Sequence, residues 1–172
     1  GPNHSFPEDL TVYNGNLYFR ADDGIHGLEL WKYDGNTAVM IADIMSGSSS
    51  SIPSDLTVYN GSLYFNAEDA NGRELWKYDG NTAVMVADIN PSGSSTPKDL
   101  TVYNGSLYFS AADYVNTPWG NTNNRELWKY DGNTASMAAN ISPNGGSFPN
   151  DLAVYNGSLF FSANDGVHGY EL

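Results

Sequence analysis

Repetition constrains this chain more than any other feature of its sequence. The run Asp-Leu-(Thr/Ala)-Val-Tyr-Asn-Gly begins at Asp9, Asp55, Asp99 and Asp151, at spacings of 46, 44 and 52 residues. A second run, Glu-Leu-Trp-Lys-Tyr-Asp-Gly-Asn-Thr-Ala, begins at Glu29, Glu74 and Glu126, and a fourth copy opens at Glu171-Leu172. Repeats of this length are single supersecondary units that bury their apolar faces against their neighbours. The 172 residues therefore read as one β-repeat array with units 5–50, 51–94, 95–146 and 147–172, the last incomplete.

Each full unit carries two hairpin signals. Asn60-Gly61 is the favoured pair for a type I′ turn, because both central residues need positive φ. A two-residue loop there pairs Val58 with Leu63 and Leu56 with Phe65, so these four share a face, with Thr57, Tyr59 and Tyr64 on the other. The second hairpin joins Glu74–Tyr78 to Thr82–Asp88 through Asp79-Gly80. A two-residue turn places Leu75 with Val84 and Trp76 with Met85 on opposite faces; a three-residue turn through Asn81 shifts that register. Large apolar groups thus lie on both faces, as in small sheets stacked face to face rather than in a sheet with one solvated face. No stretch keeps a 3.6-residue period, and Asn-Gly or Asp-Gly recurs too often for helices. The expected fold is all-β: a repeat array of four-stranded antiparallel units, β-propeller-like, with three full blades plus one hairpin, or fourteen strands. The Ser/Gly/Pro-rich stretches 45–53 and 90–97 read as loops between units.

Composition narrows the function. Seven Lys and Arg stand against twenty Asp and Glu, a net charge of −13. That balance disfavours nucleic acid and anionic membrane surfaces, which need clustered cations. No run approaches the eighteen apolar residues of a membrane-spanning helix, and no basic-then-apolar leader opens the sequence. With no cysteine, thiolate metal sites, disulfides and cysteine nucleophiles are excluded.

The run Glu74-Leu-Trp-Lys-Tyr-Asp-Gly80, with Leu17-Tyr-Phe ahead of Asp23-Gly-Ile-His-Gly27 and with Ala42-Asp-Ile44, resembles the ELWxxDGT repeat family of large bacterial, secreted proteins. An Asn between Gly and Thr (Asn36, Asn81, Asn133) departs from that pattern at the second turn. The resemblance implies a propeller-like all-β array and no catalytic activity. One second hairpin is missing from the count, and two such chains cannot supply it to each other because both lack it. The array is therefore expected to be a fragment of a longer one, or else open and completed by association at sheet edges.

Five sets of residues are candidates for chemistry. Asp22, Asp23, Glu68, Asp69, Asp113 and Asp165 cluster after the second strand of each unit, where carboxylates beside a Gly turn suit calcium. The competing role is turn chemistry, with each Asp accepting backbone N–H bonds. Glu29, Glu74, Glu126 and Glu171 invite a paired-carboxylate reading for glycoside cleavage. A residue present in every unit is better explained as a structural bond to a neighbouring loop. His26 and His168 lack zinc-ligand spacing and read as bonded to their own loops. Arg20 replaces the Asn66, Ser110 or Ser162 of other units and is expected to neutralise Asp22 or Asp23. The repeat itself breaks between Asp113 and Glu126, which are separated by twelve residues against four between Asp69 and Glu74. That insertion, read as a loop, holds Trp119, Tyr114, Asn121, Asn123 and Asn124. An aromatic platform beside amides suits a sugar ring; the alternative is that Trp119 packs down to close the loop.

The expected protein is a non-catalytic binding or adhesion repeat module, secreted or at the cell surface, with a glycan as candidate ligand. A structural protein self-assembling through exposed sheet edges is the alternative, and a carbohydrate-active enzyme the third reading. No cofactor is required, with calcium the one candidate. The expected partners are further copies or adjacent repeats of a longer chain, with no nucleic acid and no membrane insertion.

Overall fold

A computed structural model describes residues 4–117 and 120–172, the side chains of 114–123 excepted. Among the described residues all regular structure is β. Sheet 1 holds β1 (Glu8–Tyr13), β2 (Asn16–Asp22), β3 (Leu28–Tyr33) and β4 (Ala38–Ala42). Sheet 2 holds β5 (Ser54–Tyr59), β6 (Ser62–Asp69), β7 (Gly72–Tyr78) and β8 (Ala83–Ala87). Sheet 3 holds β9 (Lys98–Tyr103), β10 (Ser106–Thr117), β11 (Gly120–Tyr130) and β12 (Ala135–Ala139). Sheet 4 holds β13 (Asn150–Tyr155), β14 (Ser158–Asn164) and β15 (Tyr170–Glu171). Each sheet is an antiparallel meander whose strands neighbour one another in chain order, as local hairpin turns dictate. The chain, read from its repeats as one array, divides into two compact units, Gly1–Val86 and Ala87–Leu172.

The Asn-Gly turns form as their chemistry requires. Asn14, Asn60, Asn104 and Asn156 have φ of 46–50°, and the glycines after them 74–76°. Both central residues are left-handed, which defines the type I′ turn. Val58 pairs with Leu63 across it.

Three expectations change. Leu56 does not pair one-to-one with Phe65: the register jumps between Ser54 and Thr57, so Asp55 and Leu56 together oppose Phe65. Asp55 takes φ 57° in this bulge, and Asp9, Asp99 and Asp151 repeat it at 55–57°. The repeated Asp is thus a bulge residue, a place for a side chain that tolerates the left-handed region. The second hairpin has neither a two- nor a three-residue turn. Tyr33 pairs with Ala38, leaving the four-residue loop Asp34–Thr37 closed by the Asp34 N–H donating to the Thr37 carbonyl at 3.3 Å. The same bond closes Asp79–Thr82 and Asp131–Thr134. The added pair of residues moves the register by two, so Trp31 meets Met40 directly. The strand total is fifteen among the described residues, because Tyr170 and Glu171 pair with Asn164 and Ala163 as a short third strand of sheet 4.

Within the first compact unit, sheets 1 and 2 meet face to face. Tyr13, Tyr18 and Leu30 from sheet 1 pack with Leu56, Leu63, Phe65, Ala67 and Tyr78 from sheet 2. The edges of this contact are polar and directional. Thr11 Oγ1 donates to the Leu56 carbonyl at 3.0 Å, and the Tyr13 hydroxyl to the Gly61 carbonyl in the next Asn-Gly turn at 2.9 Å. The second compact unit repeats the rule. Thr101 Oγ1 reaches the Leu152 carbonyl at 3.2 Å, and the Tyr103 hydroxyl the Gly157 carbonyl at 3.2 Å. The Thr and Tyr of the first motif are therefore sheet-stacking residues, facing away from the Leu and Phe that receive the preceding sheet.

Candidate functional site

The Glu of Glu-Leu-Trp sits at the centre of each repeat. Glu29, Glu74 and Glu126 are all fully buried. Glu29 Oε2 accepts from the Ile44 amide at 2.9 Å and the Ser51 hydroxyl at 2.6 Å, and Oε1 from the Ser51 amide at 2.9 Å and the Met45 amide at 3.3 Å. Glu126 makes the same set to the Ile141 amide, the Ser147 amide and the Ser147 hydroxyl, at 2.9, 3.0 and 2.6 Å. Burial pushes the Glu29 carboxyl up, against the hydrogen bonds, which favour the carboxylate. Glu29 and Glu126 each staple the loop that leads into the repeat after their own. Glu171, in β15, is exposed.

The stapled serines Ser51 and Ser147 each open a Ser-x-Pro run, which Ser95 also opens, and all three are fully buried. The carbonyl of each receives the amide of Glu68, Ala112 or Asn164 at the end of the second strand of the sheet that follows, at 2.8–2.9 Å. The residue after each carries positive φ at Ile52 (47°), Thr96 (47°) and Phe148 (50°). For β-branched side chains that conformation is strained and persists only where the surroundings enforce it. Two arginines that the sequence analysis passed over help enforce it. Arg73 donates to the Ile52 carbonyl at 2.9 Å and to Asn66 Oδ1 at 2.7 Å. Arg125 donates to the Ser95 and Thr96 carbonyls at 3.2 and 3.0 Å. Their common place immediately before Glu was the available signal.

The six acidic residues weighed for calcium are divided among the four repeats, one or two in each. Asp22 Oδ1 accepts from the Gly24 amide at 2.6 Å, and Asp23 Oδ1 from the Ile25 and His26 amides at 2.8 and 2.9 Å. Asp165 does the same for Val167 and His168, both at 2.8 Å. Asp69 accepts from the Asn71 amide at 2.8 Å, Glu68 pairs with Arg73 at 3.2 Å, and Asp113 accepts from Asn124 Nδ2 at 2.9 Å. Among the described residues no three His, Cys, Asp or Glu side chains converge as a metal site would need. His26 Nδ1 lies 2.7 Å from Asp23 Oδ2 and His168 Nδ1 lies 2.8 Å from Asp165 Oδ2, each closing its own loop. Arg20 does not turn to Asp22 or Asp23. It pairs with Glu8, its cross-strand neighbour, and with Asp9 at 3.1 Å, because register sets its reach.

These turns carry a pH signature. Backbone N–H bonds hold Asp34, Asp79 and Asp131 below the ordinary carboxylate value of 3.8, hold Asp23 down to about 2, and lower Asp165 further. A carboxyl whose folded pKa is depressed contributes stability that is present above the unfolded pKa and lost as pH falls through the folded one. Melting temperature is therefore expected to fall between about pH 4 and about pH 2. The triple variant Asp34→Ala/Asp79→Ala/Asp131→Ala should flatten that fall; an unchanged slope would refute the assignment. His26 has the opposite sign. Its hydrogen bond to Asp23 raises its pKa, so that contribution is lost as pH rises through the folded value.

The break in the repeat is not a loop. The hairpin of β10 and β11 continues past Asp113↔Asn124 through Tyr114↔Asn123, Val115↔Thr122, Asn116↔Asn121 and Thr117↔Gly120. In sheet 2 the equivalent hairpin ends at Asp69↔Gly72. The alternation of Tyr, Val and Thr with Asn suits paired strands, and their β-propensity extends the ladder. Asn124 is buried at the ribbon's base on Asp113. Tyr114, Asn121 and Asn123 belong to its pairing register, while Trp119 lies outside the described residues. Fold and site together define an all-β repeat scaffold of antiparallel sheets with one extended ribbon. No protein-family model matches the chain, and no curated protein matches it.

Proposed function

We propose that this chain is a non-catalytic binding and adhesion module of the ELWxxDGT repeat kind, acting outside the cell or on its surface, with a glycan as ligand. The observation that carries the reading is the β10–β11 ribbon, among the described residues the hairpin extended beyond the repeat, in 12- and 11-residue strands. An irregular extension on a repeated, rigid scaffold is the kind of element that often carries binding. The Glu carboxylates support a non-catalytic role. Glu29 and Glu126 already accept three or four hydrogen bonds each from their own loops, which occupies the groups a glycosidase would use. The carboxylates of Asp22, Asp23, Asp69 and Asp165 likewise accept amides of their own turns, which supports a role in the loops rather than on an ion.

A glycan array probed with the chain tests the reading. Binding is expected, and Trp119→Ala should weaken it about tenfold, the equivalent of about 1.4 kcal/mol. A blank array, or equal binding by the variant, would remove the sugar site.

A further inference from the structure

Sheets 1 and 4 present opposite halves of the contact that stacks sheet 1 on sheet 2 and sheet 3 on sheet 4. Each stack joins a Thr/Tyr face to a Leu/Phe face. The Leu/Phe face of sheet 1 is exposed. Leu10 is 58% exposed where its counterpart Leu56 is 8% exposed, and Val12 is 68% exposed. Leu17 and Phe19, half-buried, stand where sheet 2 has the fully buried Leu63 and Phe65. A groove lined by Ser5, Phe19, Ala21 and Trp31 lies on this side.

The Tyr face of sheet 4 is open in the same way. Tyr155 is 66% exposed where Tyr13 is 3% exposed. Its ring still stacks on Phe160 at 6.3 Å, as Tyr13 does on Tyr18 at 5.4 Å, so the half-contact is already shaped. The staple is split likewise. Glu171 is exposed in β15, and Ser5 is exposed at the place of Ser51 and Ser147, its carbonyl already receiving the Asp22 amide at 2.8 Å.

We infer that the Tyr155–Phe160 face of one chain stacks on the Leu10–Phe19 face of a second copy, head to tail. The Tyr155 hydroxyl then donates to the Gly15 carbonyl of the second copy, as Tyr13 does to Gly61 and Tyr103 to Gly157. Glu171 accepts from the amide and hydroxyl of Ser5 in that copy, as Glu29 does from Ser51. One bond of the pattern is absent, because Ala153 has no hydroxyl where Thr11 and Thr101 donate. The contact uses sheet faces rather than the edges expected from the sequence, and it is heterologous: each copy offers one face and receives on another. It is independent of any glycan site.

The experiment is complementation between two variants, read by light scattering across a concentration series. Wild type is expected to exceed the 18.7 kDa of one chain. Leu10→Asp disables one face and Tyr155→Asp the other, so each variant alone should remain at 18.7 kDa. Their equimolar mixture retains one intact pair of faces and should double in mass. Circular dichroism and melting temperature check that each variant folds; Val12→Lys with Phe160→Ser gives a second pair should either fail. Three results overturn the inference: wild type at one-chain mass throughout, either variant associating as wild type does, or a mixture no heavier than its components. The first would mean that another partner or further repeats cover these faces.

Discussion

Glu29→Ala should lower the unfolding free energy by about 2–4 kcal/mol, read from the midpoint of a urea titration. The substitution strands the amide and hydroxyl of Ser51, both buried, and loosens the amides of Ile44 and Met45. A buried donor left without a partner costs about 1–3 kcal/mol, against about 1 kcal/mol for an ordinary hydrogen bond. Glu126→Ala should behave alike, because Ser147 and Ile141 hold the same places. Glu171→Ala is the internal control. It is the same motif residue in an exposed position, and below the concentration at which chains associate it should shift stability by less than about 0.5 kcal/mol. Equal effects at Glu29 and Glu171 would show that the staple is not what the Glu does.

Phe65→Ala should cost about 3–5 kcal/mol, the range for emptying a fully buried aromatic site. Phe65 is 0% exposed and packs among Leu63, Leu56, Tyr13 and Tyr78, drawn from both sheets, so a collapse into the void would have to move two sheets at once. Phe19→Ala removes the corresponding side chain of sheet 1, half-buried on the open face, and should cost less than half as much in dilute solution. The gap between the two should narrow as concentration rises if chains stack through that face, since association then buries Phe19 too. A Phe65→Ala loss below about 1 kcal/mol would contradict the packing.

The legible part of this protein was the part built from local chemistry. Asn-Gly fixes its own two dihedrals, so the four type I′ turns and the Val58↔Leu63 pairing follow from two adjacent residues. The Asp of Asp-Gly-Asn-Thr was readable as a turn residue. Its loop length was not, because the Asp34 carboxylate accepts both the Asn36 and Thr37 amides, at 2.8 Å each, and so draws Asn and Thr into the loop. The recurrence of Glu pointed to a bond with a neighbouring loop, but its donors lie 15 to 22 residues along the sequence and no pattern announces them. Arg73 and Arg125 were missed for the same reason: they act on a strained turn 21 to 30 residues upstream. Calcium was weighed because carboxylates near glycine look alike whether they hold an ion or their own backbone.

By itself, then, the sequence determined the repeat, the all-β class, the hairpins and the sides on which Thr-Tyr and Leu-Phe emerge, since period, turn type and alternation are properties of adjacent residues. Only the tertiary structure decided which of those sides are covered. Leu10 and Leu56 sit in the same motif, yet one is 58% and the other 8% exposed, because exposure depends on whether another sheet lies across the face. The same holds for Glu29 and Glu171, identical in motif and opposite in burial. Burial is a relation between segments far apart in the chain, and a repeat cannot state it from within one copy.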